Sequence, residues 1–182
     1  MRSKSFPEPW KSFFSEIDAA LSVEVELHCL GGFVMTILYG LERPTSDVDV
    51  LPFATNTVTE LLMELAGEGS KLHKKFKVHL QVVGVAPTPA GYDERLKEIG
   101  ARTFKRLRLL ALDPYDLALT KIERNTQRDR DDVKHLARTV PFDLNILKTR
   151  YEKELRPFLG NPRREDLTMA LWLEAIEEER SQ

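Results

Sequence analysis

Cysteine is nearly missing from this sequence: Cys29 is the only one among 182 residues. That excludes an intramolecular disulfide and a four-cysteine zinc site, and leaves Cys29, in an apolar run, as a small core residue. Long apolar runs are missing too. None approaches the roughly 20 residues that a membrane helix needs. The stretch MRSKSFPEPWKSFF lacks the apolar segment of a secretory signal. The expectation is a soluble, cytoplasmic protein with no membrane partner. A strong net charge is also lacking. At −2, the chain cannot be a general nucleic-acid coat protein drawing its affinity from overall positive charge, so any polyanion contact must come from local basic patches. No internal repeat or low-complexity segment is visible.

Hydrophobic residues make up 42% of the chain, which is enough for one good core and a small helical annex but not for two large domains. In chain order, residues 8–21 carry Trp10, Phe13, Phe14, Ile17 and Leu21 at helical spacing behind Pro9. VEVELHCL (23–30) alternates apolar and polar residues as a strand does, Gly31-Gly32 breaks it, and FVMTILYG resumes as a short apolar helix. SDVDVLPF predicts a second strand, residues 57–66 a helix, and KVHLQVVGVA (77–86) a third strand. TFKRLRLLALD reads as one or two short strands. DPYDLALTKIERN is a predicted helix with Asp113 as N-cap and Pro114 at its first position. RDRDDVKHLART follows after a break near Asn125, and two more helices are expected at about 143–155 and 163–180. The pattern predicts an α+β fold: a small mixed β-sheet flanked by helices over residues 1–112, with a helical C-terminal part, 113–182, packed on it as a single structural unit.

The short strand around SDVDV poses the chemical question. Asp is depleted in strands, and an unpaired carboxylate beside a core is expensive. Side chains alternate along a strand, so Asp47 and Asp49 point one way while Val48 and Val50 point the other. Two carboxylates on one face repel unless a cation lies between them. Mg²⁺ suits the place, since it is usually held by one or two carboxylates together with substrate phosphates. The Gly31-Gly32 pair stands at a strand-to-helix junction, where the backbone can approach a ligand and the first helical N–H groups form an anion site. Each part alone has a plain reading, the acids as surface residues and the glycines as a turn. The combination in this order and spacing is more specific.

That combination, strand–Gly-Gly–helix–Arg43-x-Thr45-Ser46-Asp47-x-Asp49, resembles the first signature of the nucleotidyltransferase fold shared with DNA polymerase beta. More narrowly it resembles the AbiEii and MenT group of bacterial nucleotidyltransferase toxins. A second block, KIERNTQRDRDDV, resembles that group's lysine-bearing helix and its R-D-x-x-D element, through Lys121, Arg124, Arg128, Asp129 and Asp132. The two blocks span roughly residues 23–138, and the terminal helices match nothing in it. The resemblance implies that Asp47 and Asp49 ligate Mg²⁺ (or Mn²⁺). It implies that Gly31 and Gly32 cradle the β- and γ-phosphates of an NTP such as ATP, with Arg43, Thr45, Ser46, Arg124 and Arg128 also on the nucleotide. Lys121 would contact a phosphate, and Asp129 would support the site. The implied reaction moves a nucleoside monophosphate to a hydroxyl on a tRNA 3′ end or a protein, in a toxin–antitoxin or phage-defence setting with a cognate antitoxin or toxin as partner.

The chain also departs from the wider superfamily, whose members often carry a third acid on a later strand. Here that strand reads KVHLQVV, and its polar face offers His79 and Gln81; Asp93 in the following loop is another source of a carboxylate. Two readings therefore stand beside catalysis. One is a catalytically weakened protein of the same fold that binds nucleotide or a partner protein without turnover. The other is an interaction protein in which Gly-Gly is a turn and the aspartates are surface acids. Lys121, Arg124 and Arg128 would share a face if a helix ran through Asn125, as a phosphate or RNA-backbone clamp or as solvated surface paired with Glu123, Asp129 and Asp132. The basic stretches KLHKKFK (71–77) and RTFKRLR (102–108) could hold an RNA end, or could be strand edges protected by their charges.

Overall fold

The structure, a computed structural model, describes residues 6–52 and 56–181. It divides into two compact units, residues 1–84 with 96–111, and residues 85–95 with 112–182. The class is the expected α+β. The described residues form one five-stranded mixed sheet and eight α-helices.

In the first unit, α1 (Trp10–Ala20) leads into β1 (Val25–Leu30), followed directly by α2 (Gly31–Tyr39) and then β2 (Asp47–Val50). Helices α3 (Asn56–Ala66) and α4 (Lys71–Phe76) precede β3 (His79–Val82); β4 (Lys97–Ile99) and β5 (Leu107–Ala111) complete the sheet. The strand order is β3-β2-β1-β5-β4. β1 runs antiparallel to β2 and parallel to β5, β2 runs parallel to β3, and β4 antiparallel to β5. Leu27, Cys29, Val48, Val50, Leu80 and Leu109 share one face and are buried, with α1 against β5 and α3 against β3. The alternation read from VEVELHCL is thus used as expected: Val25, Leu27 and Cys29 face the core, and Glu26 is exposed.

Aromatic residues close this core. Phe13, Phe14 and Phe33 are fully buried, with Phe14 and Trp10 edge-on to Phe33 at 5.6 and 5.0 Å between centroids. Truncating Phe14 to alanine would cost about 3–5 kcal/mol. Asp18 ties α1 to the sheet by accepting hydrogen bonds from the backbone N–H groups of Lys105, Arg106 and Leu107. Burial alone would raise its pKa, but these N–H donors outweigh it and hold the carboxyl below its ordinary value.

Several elements differ from the sequence reading. The third strand covers only His79–Val82. KLHKKF is a helix, because the Ser70 side chain accepts from the His73 N–H as an N-cap and Lys77 ends the helix at φ +62°. The reading of 71–77 as a protected strand edge is therefore overturned. In RTFKRLR the strand starts only at Leu107, after the loop that Asp18 holds. Residues 97–99, assigned to no element in the sequence reading, supply β4. Phe53, placed in the second strand by its sequence, lies outside the described residues.

The second unit is helical: α5 (Pro114–Leu119), α6 (Gln127–Thr139), α7 (Leu144–Arg150) and α8 (Arg163–Ser181). Asp113 caps α5, accepting from the N–H groups of Tyr115 and Asp116, with Pro114 first in the helix as expected. Helix α7 continues into a π-helical turn, Tyr151–Leu155, so the expected span of 143–155 is nearly whole. Residues 85–95 join this unit through Arg95, which bonds Asp116 at 2.9 Å and Glu154 at 2.8 Å, and through Ala90 N–H donating to Glu154 C=O.

Candidate functional site

In the sheet unit the sequence-predicted residues gather where β1 turns into α2. Strand β1 ends at Leu30, whose register partner is Asp49. The next residue, Gly31, starts α2 in the left-handed region at φ +69°. A Cβ on Gly31 would overlap Asp49 Oδ2 and come within 2.9 Å of Asp49 Cγ. The carboxylate thus lies against bare backbone, an approach only glycine permits. Leu30, the N-cap, supplies no side-chain hydrogen bond to the first turn of α2, so that turn keeps N–H groups without a side-chain cap. Gly32 is the second residue of the same turn.

Asp47 and Asp49 alternate with the buried Val48 and Val50, and both are half-buried. They therefore share the face opposite the core, as the period of a strand requires. Thr45 orients the first of them, its hydroxyl donating to Asp47 Oδ1 at 2.8 Å. The Arg43 carbonyl accepts from the Thr36 hydroxyl at 3.5 Å, and the exposed Ser46 accepts through its carbonyl from His79 N–H at 2.9 Å. In register, Asp47 pairs with His79 and Asp49 with Gln81. The position expected to hold a third acid therefore presents an imidazole and an amide on the same face. His79 Nδ1 is buried with no hydrogen-bond partner, and its ring lies 4.7 Å from that of His73. Asp93 is exposed on the 3₁₀ turn Tyr92–Arg95 of the helical unit.

Two carboxylates on one face, one of them against the glycine backbone at the start of α2, fit a Mg²⁺ or Mn²⁺ shared with a phosphate. Among the described residues no group of three or more His, Cys, Asp or Glu is placed to hold a metal ion, so the donor set does not form a cage of protein ligands alone.

The second block lies in the helical unit. Helix α5 stops at Leu119, and Asn125 takes φ +44° before α6 begins at Gln127. The premise that Lys121, Arg124 and Arg128 line one continuous helix is therefore overturned, because the chain bends between them. The bend gathers a compact ion cluster. Lys121, 5% exposed, lies 2.9 Å from Asp132 and 3.6 Å from Asp129. Arg124 grips Asp129 with two bonds, 2.6 and 2.8 Å, while its own side chain stays 65% exposed. Asp129 is fully buried and closes a capping box with Thr126. Burial would raise its pKa, but hydrogen bonds from Arg124 and Thr126 and the charge of Lys121 prevail and hold the carboxyl far below the usual range. Arg128 is exposed and stands outside the cluster. Asp132, named from the sequence in the R-D-x-x-D element and as an ion partner of these cations, belongs to it as fully as Asp129, but buried rather than as solvated surface.

The profile of the family described as "nucleotidyltransferase of unknown function (DUF6036)" matches residues 11–180. The chain belongs to this nucleotidyltransferase family. Its mixed sheet with Gly31 opposite an Asp-x-Asp strand is the nucleotidyltransferase-like architecture that the first sequence block led us to expect. The narrower likeness to the AbiEii and MenT toxins is not part of that assignment. No curated protein and no solved structure gives a significant match. Among the described residues no helix of this nucleotidyltransferase is long and apolar enough to cross a membrane.

Proposed function

We propose that the chain is a metal-dependent nucleotidyltransferase that moves a nucleoside monophosphate from an NTP to a hydroxyl. The observation that carries this reading is the Gly31–Asp49 contact, which sets an Asp-x-Asp strand against the uncapped start of α2. Asp47 and Asp49 would hold Mg²⁺ or Mn²⁺ together with phosphate oxygens of the NTP. When bound, the cation polarises the α-phosphate and offsets charge on the departing pyrophosphate.

The chain's own groups do the rest. Backbone N–H groups at Gly31 and Gly32 receive the terminal phosphates. Thr45 keeps Asp47 turned to the site, and Gly31 lets Asp49 sit flush with the backbone. Arg43 and Ser46, in the connection leading to β2, are assigned to the nucleotide. In the helical unit, Arg124 and Arg128 are exposed cations. Lys121 supplies buried positive charge to Asp129 and Asp132, and Asp129 in turn holds Arg124. The acceptor oxygen attacks the α-phosphorus, the bond to the β-phosphate breaks, pyrophosphate leaves and the hydroxyl proton passes to solvent.

For the acceptor we favour RNA, such as a tRNA 3′ end, over a protein hydroxyl. The support is the exposed cations of α4 (Lys71, Lys74 and Lys75) and of the loop holding Arg102, Lys105 and Arg106. The toxin–antitoxin or phage-defence setting, with a cognate antitoxin or toxin, rests on the resemblance to the AbiEii and MenT group. A second reading has its own observation: His79 and Gln81 stand where a third carboxylate was expected, which suits a protein that binds nucleotide with little turnover. Thermal melts with Mg²⁺ and each of the four NTPs test binding. A ligand taken only by the native state at a hundred times its Kd stabilises by about 2.7 kcal/mol, and unshifted midpoints with all four would reject both readings.

A further inference from the structure

We infer that the outward face of α8 is an interface between two copies of this chain, with the two α8 helices antiparallel. The face belongs to the helical unit alone.

Helix α8 seats its other face in its own unit, where Glu165, Thr168, Met169, Trp172 and Ile176 are buried. A turn of about 100° per residue puts Leu167, Leu171, Glu174 and Glu178 on the opposite side, and all are exposed. Leu167 is 61% and Leu171 52% exposed, with exposed Ala170 beside them. The stripe steps by four, three and four residues, the spacing of a seam between packed helices.

Charge decides what covers it. Arg163 and Arg164 precede the leucines and Glu174, Glu177 and Glu178 follow them, all exposed. Arg164 is engaged by Glu165 and the Glu123 carbonyl. Among the described residues, Arg163 and these glutamates enter no salt bridge. The order basic, apolar, acidic opposes the dipole of α8, which favours acids at the N-terminal end and bases at the C-terminal end. Stability of the isolated helix does not account for it. A second α8 laid antiparallel does. With a two-fold axis between positions 170 and 171, Arg163 and Glu178 lie about 11 Å to either side of it, at 1.5 Å per residue. Arg163 of each copy then comes level with the acids of the other, while Leu167, Ala170 and Leu171 meet the same residues across the axis. Parallel pairing would set arginine on arginine and acid on acid, which repels.

One helix pair is a small interface, so we expect a reversible dimer in the micromolar range. Sedimentation equilibrium of the full chain over about 1–200 µM reads it, and its Kd should rise with salt. Leu171→Glu should weaken association at least tenfold, because it buries like charges beside the axis. Arg163→Glu should weaken it about tenfold, and so should Glu177→Lys with Glu178→Lys. Joining all three charge reversals in one chain should restore the wild-type Kd, since the antiparallel match returns. These positions are exposed, so each variant should keep the wild-type melting midpoint by circular dichroism. A wild-type chain that stays monomeric over that range would overturn the inference. So would a dimer indifferent to Leu171→Glu, or a combined variant that does not recover. None of these results bears on nucleotidyl transfer, whose candidate residues lie elsewhere.

Discussion

The carboxylate of Asp49 occupies the space where any residue but glycine at position 31 would carry its Cβ. Sheet register brings the two together, since the strand partner of Asp49 is Leu30, the residue just before the helix. The glycine and the second aspartate of the motif are therefore one device, with each fixing what the other can be.

Gly31→Ala should accordingly do two kinds of damage. The left-handed backbone costs about 1–2 kcal/mol for a residue with a Cβ, visible as a lower thermal midpoint. Displacement of the Asp49 carboxylate should cut nucleotidyl transfer by about a hundredfold or more, the scale of a roughly 1 Å misplacement at a reacting centre. Steady-state rates at a temperature where the variant is folded separate the two effects.

Thr45→Val tests the orientation of Asp47. Its hydroxyl donates to Asp47 Oδ1 at 2.8 Å, a bond to a charged acceptor worth about 1.5–3 kcal/mol when intact. Because the pair is half-buried, the expected outcome is the lower end, about 1.5 kcal/mol of unfolding free energy, together with a fall of about tenfold in kcat/KM measured where the variant is folded.

Lys121→Met addresses a different balance. Lys121 is buried between Asp129 and Asp132, and removing one partner of a buried ion pair costs about 3–5 kcal/mol. Urea denaturation should show that loss as a lower midpoint with unchanged slope. Arg124→Ala should cost markedly less, since its side chain is 65% exposed. A loss of activity in Lys121→Met would then report a collapsed cluster, whereas Arg124→Ala leaves Lys121 and its two acids in place.

Acid should weaken the helical unit through Asp129. Its carboxyl titrates below its unfolded value of about 3.9, so the folded state binds fewer protons there. The stability it contributes is complete above that value and is lost as pH falls toward the folded pKa. Asp116 acts in the opposite sense, because burial, outweighing its bonds to Arg95 and Arg150, raises its pKa. Comparing wild type with Asp129→Asn cancels the Asp116 contribution. The difference in unfolding free energy, measured by urea titration at each pH, should be constant near neutrality and shrink between about pH 5 and pH 2.

The legible parts of the sequence were those where one local rule decides. The alternation of VEVELHCL showed which face of β1 is buried, Asp113-Pro114 announced the start of α5, and a break near Asn125 was visible, although α5 already ends at Leu119. The Asp-x-Asp strand and its glycines were readable because a strand has a strict period of two. What escaped depended on long-range partners. KLHKKF gave no apolar period long enough to declare a helix, and Ser70 was its only signal. LKEI became a strand by pairing with β5, which no local pattern announces. The cluster around Asp129 was half visible: its residues were named, but their contacts need the bend at Asn125 that Trp172 and Thr168 hold from some 45 residues away. For the candidate site, Asp47 and Asp49 could be put on one face, while the close approach of Asp49 to Gly31 could not be read.

The central claim is that Asp47 and Asp49, set against Gly31, serve nucleotidyl transfer. It is tested most directly by incubating the purified chain and Mg²⁺ with total RNA and NTPs labelled on the α- or the γ-phosphate. Transfer predicts that α-label enters the acceptor, that γ-label leaves as pyrophosphate, and that Asp47→Asn, Asp49→Asn or chelation of the metal each abolishes incorporation. Incorporation that survives in both aspartate variants at the wild-type rate would contradict the account.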